Sequence, residues 1–269
     1  MTESHHPVRI AVQLHPQHAD YSALREAVAR AEEMGVDVVY NWDHFYPLYG
    51  PADGQHFEAW TMLAAWAEQT SRIEIGCLVT CNSYRNPNLL ADMARTVDHI
   101  SEGRLILGMG SGWFQRDYDE YGYEFGTAGS RLDRLGENLP VIEERWAALN
   151  PPPTRRIPIL VGGLGMKKTL RHTARHADIW HGLFPGSPDD VRPAVGALEE
   201  WCAEFGRDPG EIERAVGLEP NDGDRVLEHH AETYLEMGFT QFTFGTTGPD
   251  YSFDGIENWL AWRDEINAR

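Results

Sequence analysis

Short apolar runs alternate along this chain with segments of helical periodicity, and the pair recurs eight times in 269 residues. Val8 to Leu14 is a run of strand type. Tyr21 to Met34 follows, with Leu24, Ala27, Val28 and Ala31 at helical spacing and Gly35 as a stop. The pattern then repeats through the strands Val36 to Tyr40, Ile73 to Val79, Leu105 to Met109, Ile157 to Val161, Ala177 to Trp180, Ile212 to Leu218 and Phe239 to Phe244. The intervening helices are Phe57 to Gln69, Pro87 to Ile100, Arg131 to Leu149, Met166 to His176, Pro188 to Phe205, Gly223 to Met237 and Asp254 to Asn267. Asn86 caps the second of these, with Pro87 at its first position.

A chain in which every strand is followed by a helix builds parallel strands joined by right-handed crossovers. Eight such units predict a (β/α)8 TIM barrel, a single domain over residues 8–269 behind an N-terminal tail at 1–7. A doubly wound sheet is the competing arrangement, but the dinucleotide fingerprint it can carry after the first strand is absent. The Asn150-Pro151-Pro152-Pro153 segment reads as a stiff connector between units. In a barrel, the chemistry belongs in the loops that follow the strands.

Charge and cysteine usage narrow the partners. Acidic residues number 42 against 23 basic ones, a formal net charge of −19. Such a body repels nucleic acid and anionic membranes. No run reaches the roughly 20 apolar residues that span a bilayer. Cys77, Cys81 and Cys202 form no CxxC pair and suit free thiols in a reducing compartment. No signal peptide is expected, so the chain reads as soluble and cytoplasmic.

Several loops carry candidate chemistry. After the second strand, Asn41-Trp42-Asp43-His44-Phe45 places a carboxylate beside a histidine in an aromatic setting. A histidine there can serve as acid or base, and Asp43 can orient it and stabilise its charged form; a buried, hydrogen-bonded loop histidine fits the position equally well. The third strand ends in Thr80 and Asn82, whose hydroxyl and amide can bond a heteroaromatic ring or simply make a turn. After the fourth, Gly108, Gly110 and Gly112 let a flat ligand approach the backbone, or serve a tight turn. Trp113 and the aromatics after it can wall an apolar pocket or pack the loop.

Gly162-Gly163-Leu164-Gly165-Met166-Lys167-Lys168 opens a helix, and its two lysines are the only ones in the chain. Glycine amides at a helix start, with lysines beside them, make an anion site suited to phosphate; a surface pair is the alternative. His15, His18 and His56 fall near the mouth, but no HxH or HExxH pair occurs and no metal site is expected. His99, His172, His176, His229 and His230 lie on helices as surface or packing residues.

The runs Thr70-Ser71-Arg72-Ile73-Glu74-Ile75-Gly76, Val79-Thr80-Cys81-Asn82-Ser83-Tyr84-Arg85-Asn86-Pro87 and Gly103-Arg104-Leu105-Ile106-Leu107-Gly108-Met109-Gly110-Ser111-Gly112-Trp113 resemble bacterial luciferase-like oxidoreductases. The Arg131-Leu132-Asp133-Arg134-Leu135 helix start, the Gly162-Gly163 loop and Ala177-Asp178 match as well. The resemblance is nearest to the actinobacterial branch that uses the deazaflavin F420. It implies a barrel with the cofactor at the C-terminal mouth and His44, with Asp43, beside the redox ring. It also implies a non-proline cis peptide at Leu78-Val79, under the ring with Thr80, Asn82 and Gly110, and a phosphate loop of Gly162, Gly163, Lys167 and Lys168. Trp113 stands where sugar-phosphate dehydrogenases of the group place a glutamate, so with Trp42 it suggests an apolar or aromatic substrate. The expected activity is hydride transfer between F420 and a small organic molecule. FMN with dioxygen and a separate reductase is the alternative, and a non-catalytic flavin-binding protein a further one. Pairing into a homodimer is compatible with the family.

Overall fold

The computed structural model describes residues 6–219 and 223–269; residues 1–5 of the expected tail lie outside the described residues. Its strands are β1 (Arg9–His15), β2 (Val38–Asn41), β3 (Glu74–Cys77), β4 (Thr80–Cys81), β5 (Leu105–Gly110), β6 (Ile159–Gly162), β7 (Ile179–His181), β8 (Glu213–Leu218) and β9 (Phe239–Thr247). They hydrogen-bond in the order β3-β2-β1-β9-β8-β7-β6-β5-β4, and β3 also pairs with β5. Every pairing is parallel, and Ile75 opposite Leu105 and Gly76 opposite Ile106 close the ring. Since β3 and β4 are two halves of one barrel strand, the sheet is the eight-stranded (β/α)8 barrel that the alternation predicts.

Strand alternation divides the core in two. Along β1, Ile10, Val12 and Leu14 pack outward against the helix ring. Ala11 points inward, where it meets Val38, Tyr40, Leu78, Ile106, Leu160, Ile179 and Ala215 in a separate interior cluster. The N-terminal end of the barrel is closed by Arg9, which donates to Glu74 and Glu213. Charge there serves stability, because the catalytic groups of such barrels sit at the opposite end.

The helices are α1 (Tyr21–Met34), α2 (Ala59–Gln69), α3 (Pro87–Ile100), α4 (Gln115–Tyr121), α5 (Ala128–Ala148), α6 (Thr169–His176), α7 (Pro188–Phe205), α8 (Gly223–His229), α9 (Ala231–Glu236) and α10 (Ile256–Asn267). Three differences from the sequence expectation matter. The aromatic loop after β5 contains α4, too short to show periodicity and ended by Gly122 in the left-handed region. The helix expected over Gly223 to Met237 is two helices, because His230 leaves helical dihedrals. The third strand is broken at Leu78-Val79, where the peptide bond is cis at the position the resemblance implies.

That break is accommodated by missing side chains. A Cβ on Gly108 would lie 1.9 Å from the Cys77 carbonyl oxygen. One on Gly110 would lie 2.5 Å from Cγ2 of Val79, and one on Gly162 would lie 3.0 Å from its Cγ1. From the barrel interior, Gln13 Nε2 donates to the Leu78 carbonyl at 2.6 Å. The third strand therefore folds against β5 and β6 at backbone distance, and Val79 seats between two glycines.

Gly108→Ala sets a methyl against backbone that has nowhere to go, and it should destabilise the protein by roughly 3 kcal/mol or more. Gly196→Ala, within α7 with nothing within 4 Å of the new methyl, should stabilise it by about 0.5–1 kcal/mol. Thermal midpoints of the two variants should move in opposite directions. Equal midpoints would contradict the close approach at Gly108.

Candidate active site

The C-terminal ends of the strands surround a cavity of about 710 Å³. β1 contributes Gln13 and His15, and the loop after β2 contributes Trp42, Asp43 and His44. The bulge supplies Leu78 and Val79, β5 and its loop Gly110 and Trp113, and β6 and its loop Gly162 and Gly163. Nine sequence-predicted site residues thus come together: His44, Asp43, Trp42, Leu78, Val79, Gly110, Trp113, Gly162 and Gly163. Phe184, Glu219, Gly245 and Thr247 complete the far wall, and nothing in their local sequence marked them.

Thr80, Asn82, Lys167 and Lys168 do not line the cavity. Thr80 stands in register with Met109, a member of the core between strands and helices, so it faces out of the barrel. Asn82 accepts from Asn138 Nδ2 at 3.0 Å and is turned towards α5. Lys168 Nζ pairs with Asp133 Oδ1 at 2.6 Å and also donates to the Gly129 carbonyl. Lys167 is exposed. The loop reaches the cavity through Gly162, Gly163 and Thr169 instead, because its lysines precede α6 on an outward turn.

The expected Asp43–His44 pair is also corrected. Although adjacent, these two take different partners. Asp43, 1% exposed, accepts from both guanidinium ends of Arg85 at 2.6 and 3.0 Å and from the Cys81 amide at 2.9 Å. Arg85 also bonds Glu58 at 2.5 Å, and Glu58 caps the start of α2 by accepting from Trp60 N and Thr61 N. Asp43 is thus the anchor that fixes the bulge to the second loop and to α2.

The carboxylate that orients His44 belongs to Asp117 on α4. His44 Nδ1 lies 2.7 Å from Asp117 Oδ2. The fully buried Asp117 accepts as well from the Tyr84 hydroxyl at 3.0 Å and the Phe45 amide at 3.1 Å. A carboxylate only accepts, so Nδ1 carries the proton and Nε2 is the nitrogen left for the cavity. Trp42, Trp113 and Phe114 meet the imidazole edge-on, with centroids 5.5 to 6.0 Å away. Neither Tyr84 nor Asp117 carried a sequence signal, since the pairing depends on a helix that periodicity does not reveal.

Three other histidines are held neutral. Burial lowers His15 and His56 to about 4 and His181 to about 3. His56 accepts from Trp42 Nε1 at 3.0 Å. His181 Nδ1 accepts from the Leu183 amide while Nε2 meets Thr243 Oγ1 at 3.1 Å, so both nitrogens are spent on the fold. Among the described residues no three His, Cys, Asp or Glu side chains form a metal-holding group, and no helix is long and apolar enough to cross a membrane.

With this geometry in view, the chain can be set beside known proteins. It matches the luciferase-like monooxygenase family over residues 3–237. It belongs to that family and is an oxidoreductase enzyme. A relative from Amycolatopsis mediterranei, an F420-dependent glucose-6-phosphate dehydrogenase, is 37% identical over 130 residues, which are 47% of this chain and only 38% of the relative. The phthiodiolone/phenolphthiodiolone dimycocerosates ketoreductase of Mycobacterium tuberculosis is 29% identical over 281 residues, 87% of this chain and 72% of that protein. An F420-dependent secondary alcohol dehydrogenase, solved with an F420-acetone adduct, shares the fold with a TM-score of 0.82 at 20% identity, covering 98% of this chain and all of that one.

Two consequences are measurable. Arg85→Ala leaves the buried Asp43 carboxylate without its partner and should cost roughly 3 kcal/mol or more. Lys168→Ala, losing an exposed pair, should cost under about 1 kcal/mol; urea melts compare them. Separately, His15, His56 and His181 are depressed below the ordinary 6.5, so the unfolded chain binds protons that the folded protein refuses. Stability is therefore full above about pH 6.5 and falls as the pH drops towards about 4. Calorimetry at about pH 5 should show proton uptake on unfolding, and a melting midpoint unchanged between about pH 7 and 5 would contradict it.

Proposed function

We propose that the cavity binds the deazaflavin F420 and that the protein transfers a hydride between it and a small organic substrate, apolar or aromatic in character. The observation that carries this reading is the His44–Asp117 pair, set beside the Leu78-Val79 bulge in an aromatic-walled pocket at the barrel mouth. The F420 dependence named for the Amycolatopsis relative supports the choice of cofactor.

The residues present fit such a group. Val79, seated into the bare backbone at Gly110 and Gly162, forms with Leu78 a wall that a flat ring can approach. Gly162, Gly163 and Thr169 are placed to hold a polar tail where the chain enters α6. When bound, F420 supplies the ring that donates or accepts the hydride. The chain manages the proton. His44 Nε2 can take a proton from an alcohol oxygen or return one to a carbonyl oxygen, while Asp117 keeps the ring oriented and offsets its charge. Trp42, Trp113 and Phe114 pack edge-on around it and leave the His44 side chain 12% exposed, which strengthens the pair.

Trp113 and Trp42 also direct the substrate. Both line the cavity, and Trp113 is 62% exposed at its rim, available to cover an apolar ligand. Lys167 and Lys168 are turned elsewhere, so a sugar phosphate finds no lysine in this cavity. We therefore do not extend the glucose-6-phosphate activity of the Amycolatopsis protein to this chain.

Fluorescence titration against F420 and FMN tests the cofactor: F420 should bind and FMN should bind more weakly. Tight FMN binding without F420 binding would favour a flavin monooxygenase fed by a separate reductase. With a ketone or alcohol found by screening, Asp117→Asn should lower kcat about 100-fold while leaving F420 affinity unchanged. Undiminished turnover would remove the His44–Asp117 pair from the chemistry, and cofactor binding without any turnover would point to a non-catalytic binding protein.

A further inference from the structure

One buried titratable side chain of the cavity has no part in the mechanism above. His15 ends β1, is 7% exposed, and stacks on Trp42 with centroids 4.3 Å apart and planes 14° from parallel. Its Nδ1 is enclosed by two hydroxyls. Thr247 Oγ1 lies at 3.0 Å, the Tyr49 hydroxyl is closer still, and the two oxygens are 3.1 Å apart. The phenol is the strongest donor of the three groups and gives its proton to Nδ1, which leaves the proton of the neutral ring on Nε2.

Nε2 makes no hydrogen bond to the described residues, although the side chain is more than nine-tenths buried and lines the cavity. In front of it stands Gly245, where a Cβ would come within 3.3 Å of Nε2. The ring is buried but this nitrogen opens into the cavity, where a ligand oxygen can complete its hydrogen bond. Here the missing side chain at 245 keeps the approach open.

We propose that His15 is a second polar station of the site, donating Nε2–H to an uncharged oxygen, carbonyl or hydroxyl, of the bound substrate or of the cofactor ring. The inference rests on the cavity being the reaction site and not on which cofactor fills it. The two histidines are complementary: Asp117 makes His44 present an open acceptor nitrogen, and Tyr49 makes His15 present a donor. Burial holds the His15 ring neutral, lowering its pKa to about 4, so it supplies a hydrogen bond rather than a charge. Glu219 lines the same end of the cavity, and its charge, after burial, raises the Tyr49 phenol. A carboxylate or phosphate is disfavoured there, in a body that already carries a net charge of −19. A neutral oxygen is the group that fits.

Heteronuclear NMR of the histidine ring nitrogens tests this on the whole protein. The ligand-free protein should show His15 as the Nε2–H tautomer, and Tyr49→Phe should move it towards Nδ1–H. F420 and then cyclohexanone are added, with methylcyclohexane as the same ring lacking the oxygen. A shift of the Nε2 proton on F420 alone assigns the acceptor to the cofactor ring. A shift only on cyclohexanone, and not on methylcyclohexane, assigns it to the substrate. His15→Phe keeps the stack on Trp42 and should weaken the responsible ligand about three- to tenfold. If F420 fails to bind but cyclohexanone still moves Nε2, the cofactor assignment falls and the role of His15 stands. An Nδ1–H tautomer in the free protein, no shift with either ligand, or undiminished binding by His15→Phe overturns the proposal.

Discussion

How closely the third barrel strand can approach its neighbours decides everything at the mouth of this barrel. The Cys77 carbonyl occupies the space where a side chain at 108 would begin. Val79 fills what side chains at 110 and 162 would have taken. With those three positions bare, the strand turns inward and presents Leu78 and Val79 to the cavity instead of continuing as regular ladder. Close-packed interiors do not yield by an ångström, so the backbone fixes where Leu78 and Val79 stand in the wall. That is the property a site for a flat ring requires.

Two aspartates then divide the work around that wall. Asp43 is spent on structure: Arg85 and the Cys81 amide saturate it, and through Glu58 the same network reaches the start of α2. Asp117 is turned towards the cavity instead, because its shortest partner is an imidazole whose second nitrogen is open. A buried carboxylate needs such partners wherever it stands, and the identity of the partner decides what it does.

Most of the fold was legible in the sequence because barrel units repeat a local signal. Each strand must be apolar and each helix amphipathic, and neither requirement depends on distant contacts. The site was legible where backbone or position carries it: His44, Trp42, Trp113 and the glycines follow strand ends, and alternation places strand ends at the mouth. It failed where function depends on which side chain meets which. Adjacent Asp43 and His44 suggest a pair, yet Arg85 takes the first and Asp117 the second. Asp117 lies 73 positions from the histidine it serves, on a two-turn helix that has no periodic signature. Lys167 and Lys168 drew attention as the chain's only lysines, but ion pairing and exposure, not rarity, decide where a lysine points. His15 passed as one of several histidines near the mouth, because its meaning lies in Tyr49 and Thr247, which come from other loops.

The account predicts one site with a fixed floor, an acceptor histidine on one side and a donor histidine on the other. A crystal structure of the protein with F420 tests this most directly. The deazaflavin ring should lie in the barrel mouth against Leu78 and Val79, with His44 beside it and still bonded to Asp117. A ring bound elsewhere, or His44 turned away from Asp117 in the complex, would contradict the central claim.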